Sequence, residues 1–292
     1  MKYLSIDGKL YPDIKCEVNI PKIIMQSWKT KEVPLHWSAS PESIKERMPD
    51  WKYVLMDDID NRQMVATHFP DFLSYYDSYP NNIQRADTAR YCFLYLYGGI
   101  YMDLDFIVQR DLSPLFKDRA IGSIPMDLMS PFNNREDSEE ENKRGDKLYL
   151  VQSGNVSTYF TNSFMASTPR NKFWLEVIEE CKKPVHWMHV TRHFEIMGVS
   201  GPIMLSRVAN ATDSVISIIP KVAVMPCSVC DITCDASNSY LKPLEGSSWL
   251  AFDSQFYNFF LCNWKTLLVF LALIFFLYLL YLGVRGYLPV TI

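Results

Sequence analysis

Short apolar runs alternate with helix-period stretches along most of this chain. Residues 20–28 read as a first buried strand ending near Trp28, and residues 51–56 as a second. Between them, residues 41–48 fit a short helix with Ser40 as its cap. Asp57-Asp58 start a turn into a helix around residues 61–68. Residues 82–97 form the clearest helix. Ile83, Ala86, Ala89, Phe93 and Leu96 or Tyr97 share one face, and Gly98-Gly99 ends the segment. A short apolar strand follows, carrying Asp103 and Asp105. Later pieces are a strand at 162–166, a helix at 169–181, a helix opened by Gly201-Pro202 over 203–209, and a strand-like run at 215–225. Strand and helix in alternation predict α/β layers around a mainly parallel sheet.

The C-terminus breaks this pattern. Residues 266–284 are an uncharged, mostly apolar run of about 19, enough as a helix to cross roughly 30 Å of hydrocarbon. Lys265 and Arg285 flank it. Trp249, Phe252, Phe256, Tyr257, Phe259, Phe260 and Trp264 cluster ahead of it, as an interfacial aromatic belt does. The expected organisation is an N-terminal extension (1–19), a globular domain (20–262), one transmembrane helix (263–285) and a short tail (286–292). Residues 1–22 lack the apolar stretch of a signal peptide. A single-pass C-terminal tail anchor with a cytosolic catalytic domain is therefore expected, the Golgi or ER lumenal side being the alternative. Seven cysteines without framework spacing agree with a reducing compartment. Asn155-Val156-Ser157 and Asn210-Ala211-Thr212 are glycosylation sequons that matter only on the lumenal side.

Composition narrows the class. With 292 residues and 48% hydrophobic content, the chain can bury one substantial core. A net charge of −4 gives no basic footprint for nucleic acid. The mixed-charge stretch at 133–147 reads as a solvated excursion. Alternation along a strand would aim Asp103 and Asp105 to one side, with Leu104 opposite. Two carboxylates together favour a hard cation such as Mn²⁺ or Mg²⁺, which in turn holds phosphate. Arg85, Asp87 and Arg90 lie on the preceding helix. A carboxylate there can take sugar hydroxyls and a guanidinium can grip phosphate, or the two can simply pair within the helix. His186, His189, His193 and Glu195 have helical spacing that invites a zinc reading, although an ordinary helix is the plainer one. Cys227, Cys230 and Cys234 could bind metal or form a disulfide. A haloacid-type phosphatase, which also uses D-x-D, would need a second aspartate after Gly145-Asp146 that is absent.

Several segments together resemble glycosyltransferase family 32. They are residues 20–30 (IPKIIMQSWKT), Tyr76-Asp77-Ser78-Tyr79-Pro80, Arg85-Ala86-Asp87 with Arg90-Tyr91, and Gly98-Gly99-Ile100-Tyr101-Met102-Asp103-Leu104-Asp105. Asn162-Ser163-Phe164-Met165, Ser200-Gly201-Pro202 and Glu245-Gly246-Ser247-Ser248-Trp249 complete the series. The pattern is most similar to the fungal mannosyltransferases that make mannosyl-inositol-phosphoryl-ceramide. The resemblance implies a GT-A fold, a divalent metal (Mn²⁺ or Mg²⁺), and transfer with retention at the anomeric carbon. It implies that Trp28 stacks on the nucleobase and that Asp87 holds ribose or donor-sugar hydroxyls. Arg90 would hold the donor sugar or diphosphate, Asp103 and Asp105 donor and metal, and Ser247, Ser248 and Trp249 would close over the diphosphate. Asp87, Arg90, Asp103 and Asp105 thus form the expected catalytic set. Three departures stand out: Met25 and Leu250 where relatives have His, and no N-terminal membrane segment.

The expectation is a hexosyltransferase moving mannose from GDP-mannose to an inositol-phosphate sphingolipid at a membrane, with room for a regulatory membrane subunit. One alternative is a UDP-sugar enzyme acting on a glycan or protein. Another is a membrane-anchored pseudoenzyme that binds a nucleotide or glycolipid without turnover.

Overall fold

The computed structural model describes residues 4–6, 9–11, 20–116, 146–153, 158–183, 191–231, 233–244 and 252–284. Strands β1 (Leu4–Ile6) and β2 (Lys9–Tyr11) form a small antiparallel hairpin. The main sheet begins with β3 (Ile23–Ser27). It then takes in β4 (Lys52–Met56) and β5 (Gly99–Met102). Strand β6 (Phe106–Val108) leaves this sheet. Strands β7 (Leu148–Gln152), β8 (Phe160–Ser167) and β9 (Ser217–Ile219) complete it, in the spatial order β4-β3-β5-β8-β7-β9. Strand β10 (Leu241–Pro243) pairs antiparallel with β6. The expected α/β class holds, with one qualification: β8 runs against both of its neighbours, β5 and β7.

Both faces of the sheet are buried, which is why its strands read as continuous apolar runs. Ile24 and Ile100 point into one core cluster, Met25 and Tyr101 into the other. The second cluster packs under α2 (Asp58–His68), α3 (Pro70–Ser78), α4 (Asn82–Tyr97) and α5 (Lys172–Glu180). Helices α6 (Arg192–Val199) and α7 (Pro202–Ala211) continue that layer, while α1 (Ala39–Arg47) covers the opposite face.

Several local expectations need correction. Ser40 is not a cap. The helix starts at Ala39, and Ser40 is fully buried, accepting a hydrogen bond from Gln26 Nε2 at 2.9 Å. The run at 215–225 splits at Pro220, which ends β9 and opens the single turn α8 (Lys221–Val224). Asp57, by contrast, caps α2 in a reciprocal arrangement with Asp60. The charged stretch at 133–145 lies outside the described residues.

Gly98 and Gly99 turn the chain from α4 directly into β5. Their φ angles are +63° and +83°, and a Cβ on Gly99 would sit 2.5 Å from the Ile23 carbonyl oxygen. Only glycine takes this conformation at such close backbone approach. The tight reversal sets α4 antiparallel to β5, so its first turns stand at the carboxyl edge of the sheet.

Helix α9 (Phe252–Val284) packs its first turn on the globular part, where Ser254 is buried, and residues 252–282 meet the length and composition of a membrane span, whose most apolar 18-residue stretch has mean hydropathy 2.3 and is not buried in the protein. Its length of about 50 Å exceeds a hydrocarbon core of roughly 30 Å.

Replacing Gly99 by Ala should destabilise the domain by about 2–3 kcal/mol through strain and the Ile23 clash. Urea unfolding of the detergent-solubilised chain measures this; an unchanged midpoint would contradict the close approach.

Candidate active site

The carboxyl ends of β3, β4 and β5 lie side by side, and in open α/β sheets this edge is where ligands bind. Trp28 follows β3, Asp57 and Asp58 follow β4, and Asp103 follows β5. Strand β5 stops at Met102, so Asp103 and Asp105 are not two strand residues sharing a face. They flank a turn whose middle residue, Leu104, is buried in the protein. Three hydrogen bonds fix its backbone. Asp103 N–H donates to Ser163 O at 2.9 Å, Gln26 Nε2 donates to Asp103 O at 3.0 Å, and Leu244 N–H donates to Asp105 O at 2.7 Å.

Beneath this turn lies a buried charge network. Arg90 and Asp87 sit one helical turn apart, each 3% exposed. Arg90 Nη2 meets Asp87 Oδ1 at 3.1 Å, and Nη1 reaches Asp103 Oδ1 at 3.1 Å and the Asn162 carbonyl at 2.9 Å. Its guanidinium lies 4.3 Å above the Tyr101 ring, whose hydroxyl also donates to Asp103 Oδ1. Asp87 accepts from Asn162 Nδ2 at 3.0 Å and from Ser200 Oγ at 2.8 Å. The helical ion pair and the site are thus one structure: the pair extends from Asp87 through Arg90 to the first aspartate of the turn. In this arrangement Asp87 and Arg90 stand behind the surface, and Asp103, with its side chain 30% exposed, is the member that faces outward.

Burial dominates the electrostatics. It raises the Asp87 carboxyl to about 6 against the opposing pull of Arg90, Ser200 and Asn162. It also raises Asp103, opposed by Arg90 and Tyr101. Asp105 rises to about 7, through burial first and the Asp103 charge second. Asp105 Oδ1 is buried with no hydrogen-bond partner among the described residues. An orphaned carboxylate oxygen beside a second carboxylate is a site short of positive charge. These are hard oxygen donors of the kind Mn²⁺ and Mg²⁺ take. Among the described residues no group of three or more His, Cys, Asp or Glu side chains converges, so any remaining ligands would come from water or substrate phosphate. The residues present fit such a cation.

Trp28 is half-buried, edge-on to Trp37 at 5.0 Å, and its backbone N–H donates to Met56 O at 3.1 Å. Ser247, Ser248, Trp249 and Leu250 lie outside the described residues. Met25 is fully buried in the core cluster that includes Tyr101, so that departure from the family pattern sits under the network. The sequence reading assigned no role to Tyr101, Asn162, Ser200 or Gln26. Each was visible only as part of a matching motif, because nothing in local spacing says which distant carboxylate a hydroxyl or amide will meet.

The other candidate clusters resolve differently. Cys227 pairs with Cys234, and Cys230 with Cys262 on α9. The zinc reading of these cysteines falls, because all three sulfurs are in disulfides. His193 Nδ1 and Ser254 Oγ share a hydrogen bond at 3.0 Å, and His186 and His189 lie outside the described residues.

Residues 34–122 match the family model described as the glycosyltransferase sugar-binding region containing the DXD motif. That stretch carries the DXD-type sugar-binding region of a glycosyltransferase. Inositol phosphoceramide mannosyltransferase 3 of Schizosaccharomyces pombe is 53% identical over 33% of this chain and 27% of its own length. The mannosyl phosphorylinositol ceramide synthase CSH1 of Saccharomyces cerevisiae is 30% identical over 81% of this chain and 54% of its own. Inositol phosphoceramide mannosyltransferase 1 of S. pombe is 26% identical over 86% and 69%. The aligned part therefore spans between 27% and 69% of these relatives.

Removing Arg90 (Arg90→Met) leaves the buried Asp87 and the partly exposed Asp103 without their cation and should cost about 3–5 kcal/mol in denaturant unfolding. The raised carboxyls of Asp87 and Asp105 set a pH dependence. From about pH 4 to 7 the native state keeps protons that the unfolded chain has released, so metal-free stability falls as pH rises through that window. A divalent cation should offset the fall at pH 8 but not at pH 5.5, where it competes with protons. Thermal unfolding with Mn²⁺ or chelator at both pH values checks this; a metal effect equal at the two would contradict it.

Proposed function

We propose that this chain is a metal-dependent, retaining glycosyltransferase of GT-A type that moves mannose from GDP-mannose to an inositol-phosphate sphingolipid. The observation that carries the reading is the aspartate turn at the carboxyl edge of the sheet, with its unpartnered Asp105 oxygen and its Arg90-braced Asp103. Similarity to inositol phosphoceramide mannosyltransferases over most of the chain supports the lipid acceptor, and an apolar C-terminal helix would keep the site close to a bilayer. It also leaves room for a regulatory membrane subunit.

Asp103 and Asp105 would hold the cation. When bound, it supplies the charge that stabilises a departing nucleoside diphosphate. Arg90 and Tyr101 keep Asp103 oriented, and Asn162 and Ser200 keep Asp87 set against Arg90. We assign Trp28 to stacking on the nucleobase, and Ser247, Ser248 and Trp249 to closing over the diphosphate. Direct contact of Asp87 with donor hydroxyls would require its bonds to Asn162 and Ser200 to open.

The disulfides support the lumenal side of the Golgi or ER for residues 20–262, in place of the cytosolic side expected from the sequence, since the cytosol keeps such thiols reduced. On that side Asn210, which is exposed at the end of α7, should carry an N-glycan.

The test uses the full chain in detergent with inositol phosphoceramide and a panel of nucleotide sugars, with Mn²⁺, Mg²⁺ or chelator. GDP-mannose turnover should need the cation and fall about a hundredfold or more in both Asp103→Ala and Asp105→Ala. Transfer confined to a UDP-sugar or to soluble glycans would replace the donor or acceptor assignment. Nucleotide binding with no turnover of any donor would point to the pseudoenzyme.

A further inference from the structure

We propose that Asp58 is the residue that reads the donor's base, and that it selects guanine. This deepens the transferase reading above and rests on it. Between α2, α3 and α4 lies a cavity of about 290 Å³ lined by Asp58, Arg62, Tyr76, Asp77 and Arg85. Asp58 is the first residue of α2, directly after the carboxyl end of β4. Arg85 stands on the first turn of α4, which the Gly98-Gly99 reversal brings to the same edge. Only β3 separates β4 from β5, so the strand ends that lead to Asp58 and to the aspartate turn are about two strand spacings apart, roughly 10 Å. That is the reach of a ribose and a diphosphate. Trp28 lies between the two, at the end of β3, with the Lys29 ammonium 5.3 Å over its ring.

The charges in the cavity are not equivalent. Arg62 and Asp77 consume each other in a two-pronged pair, at 2.9 and 2.7 Å. Arg85 binds the Tyr79 carbonyl and the Asn82 side chain and keeps further N–H donors. The Asp58 carboxylate, on a residue exposed to solvent, has no hydrogen-bond partner among the described residues; partial burial and Asp57 disfavour its charge, while Arg85 and Lys29 favour it. The cavity therefore offers an unspent carboxylate beside cationic donors.

Guanine complements this arrangement. Its N1–H and exocyclic N2–H₂ present two parallel donors, which match the two oxygens of a carboxylate. Its O6 accepts from a cation alongside. Uracil presents one N–H between two carbonyl oxygens, and both would face the carboxylate's negative charge. A site built to receive paired donors discriminates strongly against a base that lacks them.

The experiment measures displacement of a fluorescent GDP analogue from the full chain in detergent with Mn²⁺, using GDP, UDP and xanthosine diphosphate. The wild type should prefer GDP over UDP by about tenfold or more. Asp58→Asn should lose about tenfold or more for GDP and leave UDP within about threefold. It should also gain for xanthosine diphosphate, because the new amide N–H meets the carbonyl that xanthine carries in place of the guanine amino group. A gain cannot come from misfolding. An unchanged GDP:UDP ratio in both Asp58→Asn and Asp58→Ala, or a wild-type preference for UDP, overturns the base assignment while leaving the transferase reading standing. Failure of the wild type to bind any nucleotide overturns both.

Discussion

The site depends on a guanidinium that is almost wholly out of water. Arg90 is held by carboxylates on both sides, and its position is decided by residues far away in sequence: Asn162 on β8, Ser200 after α6 and Tyr101 on β5. A buried ion pair of this kind contributes little net stability, because desolvation offsets most of the attraction. What it gives is geometry. Asp103 is the outward end of the network, so the orientation of one exposed carboxylate is enforced by a set of buried groups that have no other place to go.

The backbone prepares that network. The left-handed pair Gly98-Gly99 folds α4 back along β5, so that residues five to eight positions into the helix stand at the end of the strand. The reversed strand β8 then enters the same edge with its amino end, which delivers Asn162 and the Ser163 carbonyl to the turn. A wholly parallel sheet would have placed those residues at the opposite edge.

The C-terminal helix is attached to both flanks of the site. Asp253 accepts from the His193 N–H at 2.6 Å, and His193 shares a hydrogen bond with Ser254, so the start of α9 grips the first turn of α6. That helix ends at Ser200, which bonds Asp87. On the other flank, Cys262 is tied to Cys230, in the segment that leads to β10 and its pairing with the strand after the aspartate turn. The orientation of the turn relative to α9 is thus fixed by short, covalent or hydrogen-bonded routes.

The sequence by itself determined what local chemistry can determine. Helix periodicity marked α4 at its true ends, the glycine pair marked the reversal, the apolar runs marked β3, β4 and β8, and the uncharged stretch marked α9. The aspartate pair announced a site because two carboxylates so close together need a counter-charge. Strand alternation was the wrong conformation for them, since β5 ends at Met102 and a turn carries the pair, with Leu104 buried between them. The partners of Asp87 and Asp103, the pairing of Cys230 with Cys262 and the reversal of β8 came only from the tertiary structure. Each joins residues separated by tens of positions, and the free energy that selects them is released only when the sheet has closed and water has left the space between them.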